Sequence, residues 1–305
     1  MKKLIFKCLL LILPFAIILS FVEYKLRRTP NTYQSSKTAL EKGQNEFEIL
    51  TTGASHTANG ILPEFFDRPA FNLANGSQTL YYDTQLVNKY SGKMPKLKIV
   101  IFTISYHSLE TQLKNSMEYW RSGFYKQVHN IPREEEEAGF QIADYSYIGL
   151  YTPKLAYKIV LEDLLQKNNS SENALIKSEN QVNVNSEFGK RRAKLHETEM
   201  RDSSIPINVE YLEQSCRLLA EKNITVVFLT IPTHSTYYDN INQKKYQGMQ
   251  ETIKQLSEKH KIEYFNYMLD PRFKDTDFID SDHLNKVGAE KFTKIINQEI
   301  IRKYL

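Results

Sequence analysis

Apolar residues follow two rhythms along this chain. Short runs rich in isoleucine, valine and phenylalanine alternate with longer stretches whose apolar positions recur at helical spacing. The runs are "FEIL" (47–50), which leads into Gly53, then "AFNLA" (70–74), "KLKIVIFTI" (96–104), "ITVVFLTI" (224–231) and "IEYFNY" (262–267). Helices are predicted between them over 79–90, where Leu80, Leu86 and Tyr90 are spaced for one face, over 209–223, over 243–260, and from 285 to 303. This alternation predicts βαβ units and a parallel sheet, with chemistry outside the carboxyl ends of the strands.

The alternation breaks between 106 and 205, an insertion rich in tyrosine and charge. Within it the pattern predicts helical excursions around 110–128 and 153–167, followed by a segment, 166–186, with the composition of a mobile loop. "REEEE" (133–137) reads as a solvated face or a helix start. At the other end, "LIFKCLLLILPFAIILSFV" (4–22) approaches the length that crosses a hydrocarbon core of about 30 Å. No small-x-small cleavage site follows it, so the expectation is a signal anchor over 1–28, a polar stalk over 29–45 and a body over 46–305. Both flanks of the apolar stretch are basic, which leaves its orientation open.

Composition changes this picture little. A hydrophobic share of 41% and a charged share of 25% are ordinary for a globular chain of 305 residues. The net charge of +4 sits in the basic head, where Lys2, Lys3, Lys7, Lys25, Arg27 and Arg28 face Glu23 alone. The remainder is slightly acidic and gives no basic patch for nucleic acid. The two cysteines are Cys8 and Cys216, so the body holds one and forms no internal disulfide. No His/Cys/Asp grouping has metal-site spacing and no glycine-rich phosphate loop is present, so neither metal nor cofactor is expected.

Chemistry enters with "TTGASHT" (51–57), where Ser55 follows the first strand of the body, and with "DFIDSDHLNKVGAEKF" (277–292), where Asp280 and His283 precede the last helix. A serine hydroxyl needs a neutral imidazole to take its proton, and the imidazole needs a carboxylate to fix its tautomer. Each motif alone is common; their placement at the first strand end and before the last helix is more specific.

In these blocks the chain resembles the SGNH (GDSL-like) hydrolase and acyltransferase superfamily, over roughly 47–107 and 208–303. The resemblance implies a flavodoxin-like three-layer α/β fold with Ser55 as nucleophile and Asp280 and His283 as its triad partners. "FNLANGSQT" (71–79) is similar to the second block, which implies that Gly76 gives an N–H to the oxyanion hole beside that of Ser55. Two positions depart from the pattern. The usual aspartate before the serine is Ala54, and "TISYHS" (103–108) lacks the usual oxyanion asparagine, with Ser105 in roughly its place. The anchored body with its long insertion resembles envelope acylation proteins, such as the teichoic-acid D-alanylation protein and alginate-type O-acetylation proteins. That likeness implies a glycan or envelope-polymer substrate, a membrane-bound O-acyltransferase as partner, and an N-terminus inside with the body outside.

Other candidates carry two readings each. His56 and Tyr106 read as substrate contacts, His56 equally as an exposed helix-start residue. His234, with Tyr237, lies in "TIPTHSTYY" (230–238) at the ligand edge and reads as a sugar contact or as part of a rigid Pro232 loop. Trp120, Tyr119 and Tyr125 read as a sugar platform or as core. The whole chain reads as an O-acyltransferase or esterase, or as a docking partner that keeps the fold and a residual triad.

Overall fold

The computed structural model describes residues 2–134, 141–165 and 184–305. In chain order the elements are α1 (Lys2–Arg28), α2 (Thr32–Gly43), β1 (Ile49–Thr52), α3 (Ser55–Gly60), β2 (Ala70–Asn72), α4 (Leu80–Ser91), β3 (Ile99–Thr103), α5 (Ser122–His129) and α6 (Pro153–Leu164). They continue with α7 (Ser186–Glu199), α8 (Ile205–Glu221), β4 (Thr225–Thr230), α9 (Ser235–Tyr238), α10 (Gln243–His260), β5 (Glu263–Asn266) and α11 (Lys286–Ile296). They fall into two compact units, 36–119 with 177–305, and 1–35 with 120–176.

The larger unit is α/β. Its five strands are all parallel and lie in the order β2-β1-β3-β4-β5. This is a flavodoxin-like doubly wound order, with its switch point between β1 and β3. Side chains of a strand alternate between faces, so a fully buried sheet has two apolar faces. Ile49, Ile99, Ile101, Val227 and Leu229 join Ala289, Phe292 and Ile296 of α11 in one core cluster. Leu50, Val100, Phe102 and Phe228 are buried at the alternate positions. α8 packs along β4 and α4 packs on α8. Truncating a residue such as Phe292, fully buried, removes on the order of 3–5 kcal/mol.

The smaller unit is tied together by polar contacts at the end of α1. The Glu23 carboxylate accepts from Ser146 Oγ at 2.7 Å and from the N–H groups of Tyr147 and Ile148 at 3.0 and 3.1 Å. Lys25 pairs with Asp163 of α6 at 2.5 Å, and Tyr33 stacks on Phe124. Earlier in α1, Phe6, Leu10, Ile12, Phe15 and Ile18 are exposed. Among the described residues no helix is long and apolar enough to cross a membrane. The side chains at positions 4, 5, 8 and 9, within the stretch expected to do so, lie outside those described.

The strands appear where the pattern puts them, within three residues at each end. The differences lie elsewhere. The stretch read as a polar stalk contains α2, in which Tyr33 and Leu40 are buried. Over 110–128 the chain makes two 3₁₀ turns, the second running directly into α5, and is α-helical only from there. Of the expected loop 166–186, residues 166–183 lie outside the described ones, as do 135–137 of "REEEE". α7, which the composition did not suggest, starts at Ser186 with Asn185 Oδ1 capping the Phe188 N–H at 2.8 Å.

Candidate active site

β1 ends at Thr52 and the chain turns at Gly53, whose φ of +151° is open to glycine and rarely to other residues. A side chain there would also run into Thr57 and Thr103, whose hydroxyls bond each other. The turn delivers Ser55 to the first turn of α3, outside the carboxyl end of β1 and beside the switch point.

The other half of the site is a loop closed on itself. Phe278 and Leu284 bridge its ends, and the Ile279 N–H donates to the His283 carbonyl at 3.0 Å. Asn285 caps α11 by accepting from the Gly288 N–H at 3.0 Å, and donates back to the Thr276 carbonyl at 2.8 Å. Inside the loop, Asp280 Oδ1 accepts from the N–H groups of Asp282 and His283 at 3.0 and 2.8 Å. Both Asp280 oxygens then lie 3.0 Å from His283 Nδ1, and His283 Nε2 lies 2.8 Å from Ser55 Oγ. A carboxylate only accepts, so in the neutral ring the proton sits on Nδ1 and the Nε2 lone pair faces the serine hydroxyl.

A second carboxylate stands beside the first. Asp282 is fully buried and lies 3.6 Å from His283 Nδ1. Arg192 of α7 grips it with Nε at 2.9 Å from Oδ1 and Nη2 at 2.8 Å from Oδ2, and His56 Nε2 donates to Oδ2 at 3.3 Å. Burial acts to raise the Asp282 pKa, but the charge of His283 and the bonds from His56 and Arg192 outweigh it and hold it well below the usual carboxylate range. Burial also acts most strongly on His283 and downward. There the Asp282 charge and the Asp280 bond outweigh it, so its pKa is raised.

The surrounding histidines go the other way. Burial lowers His56 and His196, and burial with the neighbouring His56 pushes His107 down to about 3. Arg192 Nη2 donates to His196 Nε2 at 3.3 Å, which leaves the His196 Nδ1 proton for Tyr237 Oη at 2.7 Å. Among the described residues, His56, Asp282 and His283 have metal-ligand spacing. Arg192 already supplies the positive charge at that point, and His56 donates into it.

Beside Ser55 a cavity of about 170 Å³ is lined by Ser77, Thr79, His107, Ser108, Arg192 and Leu195, among others. Several residues singled out from the sequence do not reach it. Gly76 is outside the lining, and its N–H donates to Asn75 Oδ1 at 2.9 Å; Ser77, left-handed at φ 54°, stands in the wall instead. Ser105 donates its hydroxyl proton to His56 Nδ1 at 2.8 Å, because His56 Nε2 is committed to Asp282. That proton is therefore not available to an oxyanion. His56 itself is buried behind the site rather than exposed at it. Tyr106 is buried, its hydroxyl between Glu197 and the Asn242 N–H at 3.1 and 3.2 Å. His234 caps α9 and pairs with Asp275 at 3.1 Å. Tyr125 is core, while Trp120 is half-exposed with its edge on Phe124.

Asp282, Arg192, His196 and His107 are the residues that pattern reading missed. Asp282 looked like a spacer inside D-x-x-H. Arg192 and His196 carried one faint signal, an i, i+4 pair of nitrogen side chains behind a capping asparagine.

A family model described as "Protein of unknown function (DUF1574)" matches residues 109–300. No curated protein matches the sequence. Among solved structures the chain is similar to a GDSL-like lipase from Bacteroides thetaiotaomicron, at 10% identity over 90% of this chain and 98% of that one, with a TM-score of 0.44. It is also similar to a proposed acylhydrolase from Bacteroides fragilis, at 10% identity over 90% and 98%, with a TM-score of 0.43.

Proposed function

The chain belongs to the family described as Protein of unknown function (DUF1574), and from its site we propose an SGNH-type acyl-ester enzyme with Ser55, His283 and Asp280 as its triad. The observation that carries the reading is the unbroken relay from Ser55 Oγ through His283 to both oxygens of Asp280. In the first step Ser55 Oγ bonds to the ester carbonyl carbon while its proton passes to His283 Nε2. Asp280 stabilises the imidazolium that results. The tetrahedral oxyanion collapses, the C–O bond to the leaving alcohol breaks, and His283 returns the proton to that alcohol. Water or a sugar hydroxyl then attacks the acyl-serine by the same route, which makes the enzyme an esterase or an O-acyltransferase. The Ser55 N–H makes no hydrogen bond among the described residues and faces this role, with Ser77 in the wall where Gly76 was expected.

The setting is part of the proposal. The exposed apolar side chains of α1 support a single-pass anchor; its basic flanks leave the direction open, and an N-terminus inside with the body outside the cytoplasm is carried by the likeness to envelope acylation proteins. A glycan or envelope polymer is then the acyl acceptor or donor, and a membrane-bound O-acyltransferase the natural partner. One observation favours a second reading, a docking partner with weak chemistry. The oxyanion donors expected at Gly76 and Ser105 are engaged elsewhere. A fluorophosphonate probe separates the two. Labelling of the full chain that disappears in Ser55→Ala supports the enzyme; a wild-type chain inert to the probe and to p-nitrophenyl esters leaves the docking role.

A further inference from the structure

Two carboxylates converge on one imidazole nitrogen, and a helix from the insertion decides between them. α7 docks on α9 through Gly189, whose missing side chain lets the helix meet the carbonyl of Thr236. Arg192, the buried Ala193 and His196 follow at three, four and seven positions and so share that docked face. Arg192 closes on both oxygens of Asp282. We infer that Arg192 is a positioning residue for the proposed triad: by gripping both oxygens of Asp282 it holds that carboxylate off the ring and leaves Asp280 as the partner that orients His283. α7 is then part of the catalytic apparatus although it contributes no reacting atom. The inference rests on the triad reading above.

Without the guanidinium, Asp282 becomes an uncompensated buried charge 3.6 Å from Nδ1, able to draw the imidazole away from Ser55. The groups facing His283 are Asp280 and Asp282 from its own loop, His56 from α3, His107 from the segment after β3, and Arg192 from α7, while His196 of α7 faces Asp282. Of these, Arg192 is the fixed positive charge, and it acts to lower the His283 pKa.

The test measures the His283 pKa by NMR in the histidine-labelled full chain, with the resonance assigned by His283→Gln. Arg192→Met is expected to raise that pKa, to move the acid limb of kcat/KM for p-nitrophenyl acetate to higher pH, and to lower the maximal rate. Arg192→Met combined with Asp282→Asn should return both toward wild type, because the acid that needed compensation is gone. Arg192→Lys keeps the charge and should leave the pKa near wild type. An unmoved pKa in Arg192→Met, a loss that Asp282→Asn fails to restore, or a Lys variant that shifts as far as Met overturns the inference. If Arg192→Met does not fold alone, the inference requires that the double variant folds and that both it and Arg192→Lys keep the His283 pKa near wild type; a double variant that also fails to fold, or a shifted pKa in either, overturns it. A chain whose His283 pKa responds as expected while Ser55 stays inert to fluorophosphonate supports the charge relationship and overturns the enzyme reading.

Discussion

Asp280 and Asp282 stand two residues apart and face the same nitrogen of His283, at 3.0 and 3.6 Å. Their substitutions should part company. Asp280→Asn disturbs the tautomer and should lower kcat by roughly 10⁴-fold, the loss typical of a triad aspartate, with little change in urea midpoint. Asp282→Asn leaves Arg192 without its carboxylate and should destabilise by on the order of 3–5 kcal/mol. Equal stability of the two variants would contradict the buried pairing.

Ser55→Ala removes one oxygen at a half-buried turn, so stability should stay within about 0.5 kcal/mol of wild type. Ester turnover should fall by roughly 10⁵–10⁶-fold. If the proposed triad acts as one unit, Ser55→Ala with His283→Ala should be no slower than either alone. A further multiplicative loss in the double variant would show that the two side chains work separately.

The pH profile follows from His283. In its proposed role as general base it must be neutral, and its pKa is raised by Asp282 and Asp280 against the effect of burial. Activity should therefore rise with pH through a midpoint above the ordinary histidine value of about 6.5. A midpoint below that value in kcat/KM would assign the base to another group.

Acyl length is limited by space. The cavity beside Ser55 holds about 170 Å³, less than the roughly 300–1,000 Å³ of sites that bury a drug-sized ligand. Among p-nitrophenyl esters, acetate and butyrate should exceed octanoate in kcat/KM. A preference that grows with chain length would place the acyl group elsewhere.

Asp83, fully enclosed at the start of α4, accepts from Thr52 Oγ1 at 2.5 Å and Gln78 Nε2 at 2.7 Å. Burial outweighs these bonds and raises its pKa to about 7. A raised folded pKa means that its stability contribution is full below the unfolded value and is lost as pH climbs through about 7. An Asn oxygen accepts both bonds without a charge. Asp83→Asn should therefore stabilise the chain at pH 8 by on the order of 2–4 kcal/mol, and by much less at pH 4, as read from urea unfolding.

The sheet was legible because each strand is a short β-branched run between polar breaks, and the meeting of Ser55, Asp280 and His283 because each motif sits at an element boundary. What stayed hidden depends on a third dimension. The role of Ser105 turns on which His56 nitrogen holds a proton, and that is decided by Asp282, far along the chain. Arg192 lies in a stretch that composition assigned to an excursion from the sheet, and it matters only because Gly189 lets α7 dock.

Ser55 and His283 are 228 residues apart, with Arg192 between them. On the proposed reading the nucleophile therefore emerges during synthesis long before its base, and a strand-by-strand assembly must wait for the last block before the hydroxyl can be activated. Any fragment that stops short of residue 283 carries a displayed serine with nothing to take its proton. If the proposed triad is right, the order of the chain thus keeps an incompletely made copy chemically silent.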